Sequence, residues 1–151
     1  MARFKFRMAT LLKLREAARD ERRTELAQAY RADDVLGEHL KQVQTELNAL
    51  EDQCRKAAGP GMIDIDRLIE AQRYEIILKV QQRSLNEQRG RLAAEIERRR
   101  VALLAANREV RILEKLREHQ IEQHNQAENR LDIKRLDEVA RLQAVAAEEV
   151  V

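Results

Sequence analysis

The sequence predicts an all-α fold, a long antiparallel two-helix coiled-coil hairpin with an overhanging C-terminal helix. Three observations carry this. Ala, Glu, Lys, Leu and Arg supply 88 of the 151 residues, above the roughly one half that marks coiled coils and long helices. A single Pro lies in the one strong break, Ala58-Gly59-Pro60-Gly61. On both sides of that break, apolar residues recur at steps of three and four, the period of a coiled coil.

The same composition excludes other classes. There is no Trp, with two Phe and two Tyr, so neither a large sheet nor a wide aromatic-lined pocket can be furnished. Charged residues make up 37% of the chain, yet the net charge is +2. This is a surface of mixed sign rather than a polyanion-binding tail, and no nucleic-acid partner is expected. The one cysteine, Cys54, cannot form an intrachain disulfide and fits a reducing compartment. No apolar run approaches the 18 or so residues of a membrane span, so no direct membrane insertion is expected and the reading is cytosolic.

The first helix is expected over about residues 8–57. Its seam is Leu36, Leu40, Val43, Leu47, Leu50, Cys54 and Ala57, preceded by Leu26, Ala29 and Asp33. The turn occupies residues 58–63. Gly59 suits a left-handed terminating position, and Pro60 cannot continue a helix. Asp64 is the expected N-cap of the second helix, which runs from about residue 65 to 148. Its seam is Leu92, Ile96, Arg99, Leu103, Ala106, Val110 and Leu113, then Arg117, Gln120, His124, Ala127 and Leu131. Upstream lie Leu78, Gln81, Leu85 and Gln88. Gln88, Leu92 and Ile96 are evenly spaced by four, which implies a stutter beside Gly90.

The whole chain, 1–151, therefore reads as one coiled-coil domain of unequal arms, roughly 75 and 125 Å long at 1.5 Å per residue. Closing the hairpin at the break sets position i against roughly position 121 − i. The first helix then ends opposite about Leu113, leaving the chain from about Glu118 without an internal partner. Charge is uneven along this frame. Residues 1–31 carry +5 and residues 91–118 carry +3, while residues 32–90 and 119–151 carry −3 each.

No catalytic constellation is present in the sequence. His119 and His124 are five apart, and zincin sites need i and i+4. There is no Glu-x-x-His pair of the di-iron type. No enzyme activity, metal or cofactor is expected. Cys54, at a seam position, reads as a small buried hydrophobe. The run Arg98-Arg99-Arg100 reads as a solvated helix face.

Three stretches resemble the FliJ family of flagellar export proteins. Phe4-Lys5-Phe6-Arg7-Met8-Ala9-Thr10-Leu11-Leu12-Lys13-Leu14-Arg15-Glu16 is similar to that family's opening. Leu113-Glu114-Lys115-Leu116-Arg117-Glu118 and Leu136-Asp137-Glu138-Val139-Ala140 are similar to later segments, in the same order and spacing. The resemblance implies a non-enzymatic, stalk-like coiled coil of the flagellar type III export apparatus. It would bind the hexameric export ATPase and couple it to the export-gate membrane protein and to export chaperones. It would act in the cytoplasm, peripherally associated with the inner face of the cell membrane at the flagellar base. The equivalent stalk of a virulence secretion system and a generic coiled-coil scaffold are the alternatives. Candidate partner-binding residues are Phe4, Phe6, Leu11, Leu12, Arg15, Leu113, Leu116, Arg117, Leu136, Asp137 and Glu138. Because Phe-x-Phe is not helix-periodic, Phe4 and Phe6 belong to an extended lead-in that caps the coil, contacts a partner, or does both.

Overall fold

The structure, a computed structural model, describes residues 3–150. Helix α1, Ala9–Ala57, has 49 residues, and α2, Ile65–Glu149, has 85. They pack on one another as an all-α helical hairpin, and no strand occurs among the described residues.

The turn is built by its glycines and by Asp64. The last α-helical bond runs from the Ala58 N–H to the Cys54 carbonyl, and the Gly59 N–H then bonds the Lys56 carbonyl at 3.4 Å. A Cβ on Gly59 would stand 3.3 Å from that same carbonyl oxygen. The expectation of a left-handed Gly59 is corrected here: the glycine with positive φ is Gly61, at 145°. Gly59 is required for close approach and Gly61 for backbone angle. Asp64 caps α2 as expected. Its carboxylate accepts the Arg67 backbone N–H at 3.3 Å and pairs with the Arg67 guanidinium.

Two compact units are resolved in the fold, one formed by Asp20–Leu104 and the other by the chain up to Arg19 with the chain from Ala105 onward. In the unit of residues 20–104, the core nearest the turn is apolar. Val43, Leu50 and Leu78 are buried together, with Leu47, Ala71 and Leu85 against them. The seam positions of α1 expected from periodicity, Leu26 through Ala57, are all buried or half-buried. Leu78, 1% exposed, alone gains about 2 kcal/mol from leaving water.

Further along both helices the same unit turns polar at its seam. Gln82 Nε2 donates to Gln44 Oε1 at 3.0 Å. The Arg89 guanidinium donates through two nitrogens to the two carboxylate oxygens of Asp33, at 2.9 and 3.3 Å. This bidentate bond, with the Asp33 charge, holds the Arg89 pKa above its ordinary value. Gly37 lies beside that guanidinium, where a Cβ would meet Arg89 Nη2 at 3.6 Å, an ordinary contact. Arg99 Nη1 donates to the backbone carbonyl of Glu25 at 2.6 Å, while its Nε holds Glu95. Arg98 and Arg100 are ion-paired with Glu95 and Glu97 on α2 itself. The Arg100 hydrogen bond pulls the Glu97 carboxyl below its usual range.

These contacts overturn the expected stutter. Gln81 and Gln88 are exposed, whereas Gln82 is half-buried and Arg89 reaches across to Asp33. The true seam is Leu78, Gln82, Leu85, Arg89, Leu92, Ile96 and Arg99, in unbroken steps of four and three. Two polar residues carry the phase there, so a pattern sought only in apolar residues slips by one.

In the other unit, the expected bare stretch of α2 is shorter than the sequence implied. Gln120, Ile121, His124 and Glu128 remain half-buried, and continuous exposure begins at Asn129. The lead-in before α1 reaches this stretch, where the Phe4 ring meets His124.

Candidate functional site

The start of α1 and the facing stretch of α2 gather most of the candidate residues. The lead-in is fixed by a turn in which the Ala9 N–H bonds the Phe6 carbonyl at 3.3 Å. The Leu12 N–H then opens the helix on the Met8 carbonyl. Leu12, Val110 and Leu113 form a buried cluster, and Phe6 packs against it. The Phe4 ring meets the His124 imidazole with centroids 5.7 Å apart and planes tilted by 48°, an ordinary spacing for aromatic rings. Both phenylalanines therefore cap the coil, which realises the first of the two roles left open for them.

Beside this cap lies a groove of about 300 Å³ lined by Phe4, Phe6, Ala9, Leu12, Lys13, Glu16 and Arg117. Arg15 Nη1 is bonded to Glu109 Oε2 at 2.9 Å across the helices, with both side chains about half exposed. Leu11 is exposed, and Leu116 half-buried. Thus Phe4, Phe6, Leu12 and Arg117 share one groove, while Leu12 and Leu113 are turned into the core. Leu136, Asp137 and Glu138 lie on the exposed part of α2 and take no part in the groove. Sequence reasoning missed Lys13 and Glu16 as groove walls and Glu109 as the partner of Arg15. A heptad register between the arms would have found Glu109, because Arg15 and Glu109 flank the same Leu12–Val110 layer. It also missed His124 as the seat for Phe4, which only the lead-in reveals.

Among the described residues no group of His, Cys, Asp and Glu is disposed to hold a metal ion, and no helix is long and apolar enough to cross a membrane. Cys54 is half-buried and lines a cavity of about 640 Å³ near the turn with Leu50, Ala57, Leu68, Ala71 and Tyr74.

The fold is thus a two-helix coiled-coil hairpin whose first arm is capped by a short aromatic lead-in, with charged side chains around the cap. The chain belongs to the FliJ family: the family model described as flagellar FliJ protein matches residues 4–149. It is therefore a component of the flagellar export apparatus, and not a catalytic one. Comparison with curated proteins and with solved structures returned no match.

Proposed function

We propose that this hairpin is the stalk of the export machine: it docks in the hexameric export ATPase and couples it to the export-gate membrane protein and to export chaperones. The observation that carries this reading is the groove of Phe4, Phe6, Leu12 and Arg117 beside Arg15. Apolar surface and cationic side chains stand together there, in the segments of charge +5 and +3. Apolar contacts supply affinity, and arginines at a rim steer and orient the encounter. Of the candidates, Leu11, Leu116, Arg15 and Arg117 keep surface for a partner, while Leu12 and Leu113 shape the end from inside. The bare helix from Asn129 to Glu149, with Leu136, Asp137 and Glu138, extends the contact along the ring interior. Its place of action in this reading is the inner face of the cell membrane at the flagellar base, held peripherally.

The test is binding of the full chain to the hexameric export ATPase, with stimulation of ATP hydrolysis as the second readout. Reversing Arg15 and Arg117 to Glu should weaken both by roughly tenfold or more and leave helix content unchanged. Adding Glu109→Arg restores the internal ion pair with Glu at position 15 and should not restore docking. Reversing Asp52 or Asp64 near the turn should leave ATPase binding intact. Normal binding by the arginine variants, with loss in the turn variants, would place the docking surface at the turn instead.

A further inference from the structure

The lead-in has two attachments of different kinds. Phe6 packs against the cluster of Leu12, Val110 and Leu113, and its carbonyl accepts the Ala9 N–H. Phe4 stands beyond that anchor, with its ring on the His124 imidazole, centroids 5.7 Å apart. Nε2 of the same imidazole lies 3.5 Å from Glu128 Oε1, the two side chains being 28% and 29% exposed. A neutral imidazole gains from these neighbours a ring contact and a weak polar one. An imidazolium gains more from each. A cation within about 6 Å of an aromatic ring is drawn to its π face, and Glu128 becomes a counter-ion.

The surrounding charges do not cancel this gain. On the lead-in, Arg3 and Lys5 flank Phe4 and are exposed, so their charges turn into water and are screened. On α1, Lys13 and Glu16 line the groove with Phe4 and carry opposite signs. On α2, Arg117 lines it too, but it precedes His124 by two helical turns, about 10 Å along the axis. Glu128 in contact outweighs a cation at that range, because Coulomb energy falls with distance and is screened over about 8–10 Å.

We infer that His124 is a proton-operated seat for the lead-in: as imidazolium it holds Phe4 down and keeps that wall of the groove in place, and as neutral imidazole it lets Phe4 lift. Histidine is the side chain that changes charge close to neutral pH. Because the seated form gains by protonation, the seat is firm at low pH and weakens as pH rises. Phe6 stays packed in either state, so the arm remains helical while the shape of its end changes. The inference does not rest on docking to the ATPase.

Fluorine NMR of the full chain tests it. The chain has two phenylalanines, so labelling with para-fluorophenylalanine gives two resonances, told apart by Phe4→Leu. A neutral gadolinium chelate in the solvent broadens each fluorine according to its exposure. Between about pH 5.5 and about pH 8.5, which span the histidine range, broadening of Phe4 should rise several-fold, as loss of a cation–π contact and a partly shielded ion pair implies. Broadening of Phe6 should not change. His124→Phe keeps a ring beneath Phe4 and should hold it protected at both pH values. His124→Gln should leave Phe4 exposed at both. Glu128→Gln should shrink the pH response without abolishing it. Equal broadening of Phe4 at the two pH values in the native chain overturns the proposal. So does a pH response that persists in His124→Phe, or one that Phe6 shares equally, since the whole end of the arm would then be loosening.

Discussion

Leu78 and Arg89 occupy the same seam of the same helix, yet they hold it by different means. Around Leu78 the facing side chains are Val43, Leu47 and Leu50, and burial supplies the attraction. Around Arg89 the facing group is the Asp33 carboxylate, and the attraction is directional. Apolar layers are strong and indifferent to neighbours; one leucine meets another almost as well after a slip of one heptad. A bidentate Arg–carboxylate pair contributes little net stability while half exposed, yet it tolerates one partner position. The difference teaches a division of labour: the apolar stretch near the turn stabilises, and the polar stretch specifies which residues face each other.

The comparison breaks most visibly at Leu78. Leu78→Ala should lower the stability of the hairpin by about 2–5 kcal/mol, as full burial with partial collapse predicts; a urea titration followed by circular dichroism measures it. A loss under about 1 kcal/mol would mean that the apolar layer is not the main support. Next in size is the ion pair. Asp33→Ala should cost at most about 1 kcal/mol, because both side chains are partly solvated. Asp33→Arg with Arg89→Asp should recover part of that loss, and high salt should shrink both effects. Replacing Asp33, Gln44, Gln82 and Arg89 together by Leu should leave the thermal midpoint equal or higher. The same variant should broaden the distance distribution between spin labels at Glu38 and Arg83. A distribution as narrow as the native one would mean that apolar packing alone sets the register.

The smallest effect concerns Tyr74, one turn before Leu78 on the side of the break. Its hydroxyl donates to Glu46 Oε2 at 2.9 Å. That bond and the negative charge of Glu46 raise the phenol above its ordinary pKa of 10.0. A raised folded-state pKa means stability present below the unfolded value and lost as pH rises through the folded one. Ultraviolet titration should find Tyr74 ionising above the ordinary tyrosine pKa, and Glu46→Gln should remove most of that rise.

What the sequence disclosed follows the same division. Leu36 through Ala57 were legible because every third or fourth residue is apolar, and Asp64 because a cap must sit just before the first helical turn. Gln82 and Arg89 were not, since a polar residue gives no sign from sequence of whether it faces a seam or water. At the candidate site the Phe-x-Phe lead-in was visible as non-helical. Its reach to His124 depends on where one short strap folds back, and no periodicity encodes that. The turn shows the same limit in miniature: two glycines on either side of Pro60 are alike on paper, and only the backbone shows that Gly61 carries the angle and Gly59 the contact.

The unbroken phase from Leu78 to Arg99 has a consequence for how these arms can change length. Removing seven residues from α2 turns everything beyond the cut by only about 20°, whereas removing one turns it by about 100°. A matched loss of seven from each arm would bring the faces back together with the hairpin about 10 Å shorter. Insertions and deletions tolerated by this chain should therefore come in sevens and in pairs. They should spare the interval that holds Asp33 opposite Arg89, where a cut in one arm cannot be answered by a shift in the other without parting the two charges.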